Sequence, residues 1–401
     1  MTQRILVIGA GFAGVWSALS AARAADLEGR TNDVEIVVLA PEPTIGIRPR
    51  FYESDLSGVS APLTELFDVT GVRFVRGRVE RINAADSEVT YRDETNAEAT
   101  LTYDRLVLAT GSKLAKPNIK GIDDFTFNND TLPEAQRLQK HLEGLASRPR
   151  SRARNTVVVA GGGFTGIETA AELPSRLRSI LGASEEIEVV IVERGDAIGP
   201  DLGEGPRPVI EEALQHLGVV VRLGEAVSAV DAGGVTLANG SRIESDTVIW
   251  TAGLQSSPLT AQIPGERDRL GRLHVGRDLK VVGQQNIFAA GDTAFAATDD
   301  EGNHTMMSCQ HASNLGRSAG HNVACDLLGK PTIPYDQVKY VTCLDLGPWG
   351  AVLTEGWDRK VKLKGKEAKD LKHQINTVWI YPPKADRVEA FAAADPMRRL
   401  V

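Results

Sequence analysis

Arg4-Ile5-Leu6-Val7-Ile8-Gly9-Ala10-Gly11-Phe12-Ala13-Gly14 carries an apolar run straight into a glycine turn, and the small-residue pattern Ala18, Leu19, Ala21, Ala22 follows it. This is G-x-G-x-x-G in the setting it needs, with a strand before it and a helix after it. Gly9 permits the tight turn, Gly11 lets the backbone approach a pyrophosphate, and Gly14 lets the helix pack close to the strand. The first N–H groups of that helix have no partner inside it and face the phosphates. A turn of this kind alone is weak evidence, because small-residue turns match it by chance. Its weight comes from its return.

The return lies at Val157 to Glu172. Val157-Val158-Val159-Ala160 reads as the strand, Gly161-Gly162-Gly163-Phe164-Thr165-Gly166 as the turn, and Ile167 to Glu172 as the start of the helix. Two further pairs keep the same order: Gly71 to Gly77 resembles Gly218 to Gly224, and Leu106 to Gly111 resembles Val248 to Gly253. Gly9 and Gly161 are 152 residues apart, Gly71 and Gly218 147, and Leu106 and Val248 142. Shared order at near-constant spacing predicts two copies of one dinucleotide-binding unit. Two bays in one chain predict two dinucleotides, one held and one exchanged.

With 401 residues the chain has room for two or three domains. Its hydrophobic fraction of 42% and charged fraction of 24% are those of a globular protein that needs no disulfide staples. The 3 cysteines, Cys309, Cys325 and Cys343, stand far apart, which fits a reducing compartment and neither a Cys-x-x-Cys redox pair nor a structural zinc site. A net charge of -8 argues against nucleic acid as a partner. No apolar run approaches the length of a spanning helix, and the apolar start ends in the glycine turn rather than a cleavage site. A cytoplasmic placement follows by default.

Along the chain, Asp33 to Leu39 reads as the second strand of the first unit. An acidic residue at that strand's end often binds ribose hydroxyls, but Ala40 stands there and Glu42 lies two positions beyond. Either Glu42 reaches back or the ribose is held otherwise. The excursion Pro41 to Pro62 carries Arg48 and Arg50, each suited to a phosphate or to solvent. Val72 to Val79 reads as a strand, and Val89 to Tyr103 as a hairpin. A helix is expected over Leu132 to Leu145, and others over Gly166 to Leu181, Pro206 to Leu217 and Ser308 to Leu328. Glu188 to Val192 is a strand ending in Glu193, 27 positions after Gly166. A carboxylate there accepts from both ribose hydroxyls and repels the extra phosphate of NADP, so the second bay reads as NAD(H)-preferring, with Arg194 next to it able to blunt the preference. The tail from Tyr335 is rich in strand formers. Its lysine run, Lys360, Lys362, Lys364, Lys366, Lys369 and Lys372, reads as an edge hairpin kept soluble by charge, or as a surface for an anionic membrane or an acidic carrier. Val378 to Tyr381 reads as a core strand.

With these residues in hand, the chain resembles the two-dinucleotide-binding flavoproteins, and among them the type II NADH dehydrogenases, the single-subunit NADH:quinone oxidoreductases. The resemblance rests on Gly9 to Gly14, Ala109-Thr110-Gly111, Gly161 to Glu172, Ala252-Gly253 and Ala290-Gly291-Asp292, and spans roughly residues 4 to 330. It implies an α/β fold of two Rossmann-like dinucleotide-binding domains and a small C-terminal α+β domain. The FAD domain is discontinuous, 1–115 plus 270–330; the NAD(H) domain, 116–269, is inserted in it; and 331–401 forms the C-terminal domain. By the resemblance the first glycine turn cradles tightly bound FAD, with Asp292 at the flavin's ribityl or pyrophosphate region, and the second receives NADH. Glu168 is the candidate to orient the nicotinamide. Gln310, in Cys309-Gln310-His311-Ala312, resembles the family's Ala-Gln-x-Ala near the flavin ring and quinone. Cys309 departs from the usual alanine.

The resemblance further implies hydride transfer from nicotinamide C4 to flavin N5, then electron transfer to a quinone, with a homodimer expected. The family's helical membrane-binding tail is not matched by the last twenty or so residues, so contact at the inner membrane face is expected to be weak and peripheral at most. A ferredoxin or rubredoxin reductase, or a low-turnover NADH-sensing flavoprotein, stays open beside the quinone reading. A disulfide reductase lacks its cysteine pair, and the three cysteines give a poor version of a sulfide:quinone reductase.

Overall fold

The described residues of the computed structural model are 2–398. β1 (Gln3–Ile8) runs into α1 (Phe12–Leu27), and β2 (Val34–Ala40), β3 (Val72–Arg76) and β4 (Arg105–Leu108) follow. β1 lies between β2 and β4 and pairs with both in parallel, Ile5 opposite Ile36 on one side and Arg105 on the other. β3 extends the sheet beyond β2. Ile5, Leu6 and Val7 are all fully buried: the strand is covered on both faces, which is why its apolar run does not alternate. Because β2 and β4 leave β1 on opposite sides, the winding reverses at its carboxyl end, where such sheets open a crevice for ligand. The glycine turn sits there.

The strand expected over Val72 to Val79 breaks at Gly77, where an added Cβ would lie 2.9 Å from Arg92 O. Its second part joins the expected hairpin as a separate three-stranded antiparallel sheet of Arg78–Asn83, Glu88–Arg92 and Glu98–Thr102.

The chain then leaves the first unit through β5 (Ser112–Leu114). α2 (Leu132–Gly144) starts at Thr131, whose hydroxyl accepts from Glu134 N, with Pro133 in its first turn. The second unit repeats the first: β6 (Thr156–Ala160), α3 (Phe164–Leu181), β7 (Glu188–Val192), α4 (Arg207–Leu217), β8 (Val219–Arg222) and β9 (Thr247–Trp250). Its sheet runs β8-β7-β6-β9, all parallel, with the reversal again at the glycine strand. β10 (Leu254–Ser256) carries the chain back and pairs antiparallel with β5, Ser112 opposite Ser256. Beyond it, Ile263 and Leu273 pack with Leu6, Leu108 and Ile287 against the first sheet.

β11 (Ile287–Ala289) completes that sheet beside β4. α5 (Cys309–Leu327) follows from the N-cap Ser308, whose hydroxyl accepts from His311 N. α5 lies backbone-close to α1. A Cβ on Gly316 would stand 2.5 Å from Ala13 O, and one on Gly320 would run into Ser17 O. α1 is buried along nearly its whole length and rich in alanine, which gives both helix propensity and a thin interface.

The C-terminal unit is an antiparallel sheet of β12 (Val341–Asp345), β13 (Ala351–Glu355) and β14 (Lys360–Gly365), backed by α6 (Lys366–Gln374). Lys360, Lys362 and Lys364 stand exposed on the edge strand, as expected. The rest of the lysine run corrects the surface reading: α6 has its own periodicity, and it leaves Lys366 in solvent while turning Lys369 and Lys372 inward. Val378 to Tyr381 is no core strand. Neither glycine nor proline stops the helical backbone before Pro382, so Ile375–Trp379 continues as a π-helical turn, and Val378 and Trp379 are 64% and 39% exposed. α7 (Arg387–Ala393) then returns to the first unit, where Ala390, Ala393 and Ala394 join its core and Arg387 pairs with Asp26 at 2.8 Å. Among the described residues no helix is long and apolar enough to cross a membrane.

Candidate functional site

The first bay forms where β1, β4 and the loop after β11 end together. Gly9 takes φ +109°, and a Cβ there would collide with Ala109 O. Gly14 sits so close to Gly9 O that no side chain fits. Gly11, the N-cap of α1, has open space before it and supplies no side-chain cap. The N–H groups of the first turn, Phe12 and Ala13 among them, are thus left for a ligand. Gly291 (φ +69°) packs against Ala13, 2.7 Å from a would-be Cβ, and places Asp292 at the mouth of the bay. Ser112 Oγ donates to Asp292 Oδ2 at 2.6 Å. Burial raises the Asp292 carboxyl above its usual range, while Ser112 and Arg48 oppose the rise. Arg48 donates to Ser112 Oγ at 3.0 Å and forms an ion pair with Asp130 at the start of α2. The Thr110 hydroxyl, beside Gly111, is buried without a partner among the described residues. Glu42 is exposed and pairs with Arg76 at 3.1 Å. The open face at Gly11, the uncapped helix and the unpartnered Thr110 hydroxyl fit a pyrophosphate-bearing cofactor.

The second bay repeats the device. Gly161 has φ +119° and faces Ala252, 2.9 Å from a would-be Cβ; Gly166 again abuts the first glycine's carbonyl; Gly163 again has open space before it and leaves α3 without a side-chain cap. Phe164 and Thr165 open the helix, and Gly253 (φ +79°) ends the facing strand, its carbonyl accepting from Ala115 N at 3.0 Å. Glu193 is buried at the end of β7. Its Oε2 accepts from Gly162 N and its Oε1 from Gly195 N, both at 2.7 Å, so the carboxylate is fixed beside the glycine turn. Arg194 points to solvent.

Between the bays lies a buried ionic group assembled from three parts of the chain. Glu168, one turn into α3, is 3% exposed and pairs with Lys372 of α6 at 2.8 Å; its Oε1 also accepts from Asp345 N at 3.0 Å. Lys372 donates to Cys343 O at 2.9 Å and lies 5.5 Å from the centre of the Phe164 ring. The Asp345 carboxylate accepts from Tyr52 OH at 2.9 Å and pairs with Lys369 at 2.6 Å, and Lys369 reaches on to Glu172 at 3.5 Å. Loss of water raises the Glu168 carboxyl from 4.5 to about 7; Lys372 pulls against that rise and Asp345 adds to it. The surrounding carboxylates, Glu168 first, hold the Lys372 ammonium charged in spite of its burial. Glu168 is therefore more than a helix-terminal carboxylate, the simpler reading of its position.

Gln310 stands in the first turn of α5, its Oε1 accepting weakly from Val341 N at 3.5 Å. Enclosure pushes the neighbouring Cys309 thiol up to about 11, and all three cysteines are free. Asp292 and the two glycine turns lie at the carboxyl ends of the parallel strands, and Glu168 lies where the second unit meets the C-terminal unit. Tyr52, Asp345 and Lys372 were not singled out. They come from segments that share no local pattern, and only the lysine spacing in α6 hinted at one of them.

A sequence profile described as pyridine nucleotide-disulphide oxidoreductase matches residues 3–316. The chain is 47% identical over 397 residues to the "NADH dehydrogenase-like protein Rv1812c" of Mycobacterium tuberculosis, covering 98% of each chain. It is 30% identical over 373 residues to the "Demethylphylloquinone reductase NdbB" of Synechocystis, covering 91% of this chain and 89% of that one. Among solved structures, NDH2 from Plasmodium falciparum in complex with NADH superposes with a TM-score of 0.78 at 16% identity, covering 98% of both chains, which speaks to the fold alone.

Proposed function

The chain belongs to the pyridine nucleotide-disulphide oxidoreductase family, and from that premise we propose that it is a flavin-dependent NADH dehydrogenase that passes electrons to a quinone-type acceptor. Relatives described as NADH dehydrogenase-like and as a demethylphylloquinone reductase support the donor and the acceptor class. The three free cysteines offer no dithiol pair for disulfide chemistry. The observation that carries the reading is the pair of uncapped glycine–helix bays, one with Asp292 at its mouth and the other with Glu193 locked in place.

FAD, once bound in the first bay, supplies the two-electron chemistry. The residues around it position and insulate. Gly11 and the α1 amides take the pyrophosphate, and Asp292 and Thr110 offer further polar contacts. Gly163 and the α3 amides take the pyrophosphate of NADH, while the carboxylate of Glu193 accepts from the adenosine ribose. Glu168 lies one turn beyond that pyrophosphate site and orients the nicotinamide end. With its carboxyl near 7 it also exchanges a proton at working pH, and the fixed charge of Lys372 keeps the pair from drifting apart. Gln310 lines the acceptor side. The balance is NADH + H⁺ + quinone → NAD⁺ + quinol, so one proton must come from solvent. The chain Glu172–Lys369–Asp345–Tyr52, partly exposed at Glu172, offers it a route.

The test is anaerobic titration of the purified yellow protein. NADH should bleach the visible flavin band with one equivalent per flavin, NADPH should do so far less readily, and a soluble quinone should restore it. A protein that takes up no flavin, or holds flavin that NADH leaves oxidised, refutes the proposal.

A further inference from the structure

The head of α5 carries a group of residues that the mechanism above does not use. His311 is fully buried. Its Nδ1 accepts from Met306 N at 3.2 Å and lies 3.1 Å from Ser308 Oγ, which puts the ring proton on Nε2. That Nε2–H has no acceptor among the described residues. The ring stacks on Tyr340 with centroids 4.6 Å apart, and Tyr340 stacks on Trp357 at 4.8 Å. The Trp357 indole N–H is buried and also has no acceptor among the described residues.

Over the same Tyr340 ring, 4.2 Å from its centre, lies the guanidinium of Arg359, a residue only 7% exposed. Nη2 reaches Asp201 O at 3.5 Å, Nη1 reaches no acceptor, and among the described residues Arg359 has no ion-pair partner. Burial drives the His311 ring down to about 3, so it stays neutral and acts as a donor. Two neutral N–H donors without an acceptor among the described residues, and a fixed cation that interacts with the Tyr340 hydroxyl but has no paired carboxylate among them, are therefore gathered around flat aromatic faces. Buried polar groups are nearly always satisfied, and a buried cation without a counter-charge is costlier still. Water would satisfy the donors but would not neutralise the guanidinium.

We propose that His311, Trp357 and Arg359 form the oxygen-recognition subsite for a planar acceptor of the quinone class, with Arg359 balancing the charge that the acceptor's oxygen gains on reduction. This rests on the functional reading above and adds residues to it. The position agrees: Cys309 and Gln310 precede His311 in the same helix turn, and Tyr340 is the residue before Val341, which Gln310 contacts. Across the two half-reactions the electrons come from NADH by way of the flavin, and the quinone takes two electrons and two protons to become the quinol. The turn 356–359 between β13 and β14 carries two of the three donors, Trp357 and Arg359. It is shaped by Gly356 (φ +80°) and by Arg359 itself, a non-glycine residue held at φ +55°. Gly203 and Gly205 of the second unit press on Arg359, with 3.1 Å between a Cβ on Gly203 and Arg359 Cγ.

The experiment uses the flavin-loaded full chain with menadione, a soluble naphthoquinone, in two assays. Calorimetric titration of the oxidised protein gives the menadione Kd, and stopped-flow mixing gives flavin bleaching by NADH and its recovery with menadione. Arg359→Gln should weaken menadione binding about tenfold or more and raise its KM in step, as loss of a charged hydrogen bond does. Trp357→Phe, which keeps an aromatic ring beside Tyr340 but removes the indole N–H together with part of the bicycle, should weaken it about threefold or more. Bleaching by NADH precedes the acceptor step and serves as the internal reference. If both variants bind menadione with the wild-type Kd, or if only the NADH KM rises, the subsite is overturned. A wild-type protein that NADH fails to bleach overturns the functional reading instead, while the menadione Kd still decides the subsite.

Discussion

Replacing Lys372 with methionine is the sharpest test of the buried ionic group. Methionine keeps the length and the apolar stem, so the change removes a charge and little volume. The Glu168 carboxyl, already lifted from 4.5 to about 7, then loses the cation that holds it down and rises further. Wherever the folded state binds that proton more tightly than the unfolded chain, stability falls as pH rises. In the wild type this loss runs from pH 4.5 to about 7 and amounts to roughly 3 kcal/mol, beyond which Glu168 is ionised in both states. In Lys372→Met the loss continues above pH 7 at about 1.4 kcal/mol per pH unit, so that by pH 8 the burden on Glu168 reaches roughly 4–5 kcal/mol, in line with breaking a buried pair by removing one partner. The assay is the thermal midpoint of the flavin-loaded protein from pH 6 to 9 for wild type, Lys372→Met, Glu168→Gln and the double variant. Lys372→Met should lose its midpoint steadily above pH 7, and Glu168→Gln in the same background should remove that slope and recover most of the stability. A pH-independent midpoint for Lys372→Met, or a double variant less stable than it, would refute the coupling.

Gly14→Ala puts a methyl group onto Gly9 O and should yield a protein that purifies without flavin, read from the ratio of visible to ultraviolet absorbance. Glu193→Gln should raise the KM for NADH about tenfold or more, the value of a hydrogen bond to a charged group, narrow the gap to NADPH and leave kcat near wild type in steady-state assays. Gly316→Val drives a branched side chain into the α1 backbone at Ala13 and should cost about 1–3 kcal/mol or more by overpacking, seen as a lower thermal midpoint together with faster flavin loss.

Much of this molecule is written locally. The two glycine turns, the strand before each and the carboxylate 27 positions after Gly166 lie within single supersecondary units, where spacing dictates geometry. The repeat made the second bay legible from the first. The ionic group between them is another matter. Glu168 and the Asp345 amide are 177 residues apart, and Tyr52 reaches Asp345 across 293. No periodicity links them, and their meeting depends on how three units dock. Lys372 looked like one more surface lysine because a run of lysines suggests solvent, and the helix that turns it inward begins only at Lys366. Val378 and Trp379 misled for the opposite reason: apolar composition suggested a core strand, yet the helical backbone ran on through them. Asp292 was identified through its glycine neighbour, but its bond to Ser112, 180 residues earlier, was not.

The ribbon of β5 and β10 has a consequence for how this architecture changes over time. The second unit departs at Ser112–Leu114 and comes home at Leu254–Ser256, strands that lie side by side. Its two covalent attachment points are therefore neighbours, while its other contacts, such as Glu168 with Lys372, are non-covalent. A unit joined in this way can be inserted or exchanged through one pair of adjacent strands without reweaving the first sheet.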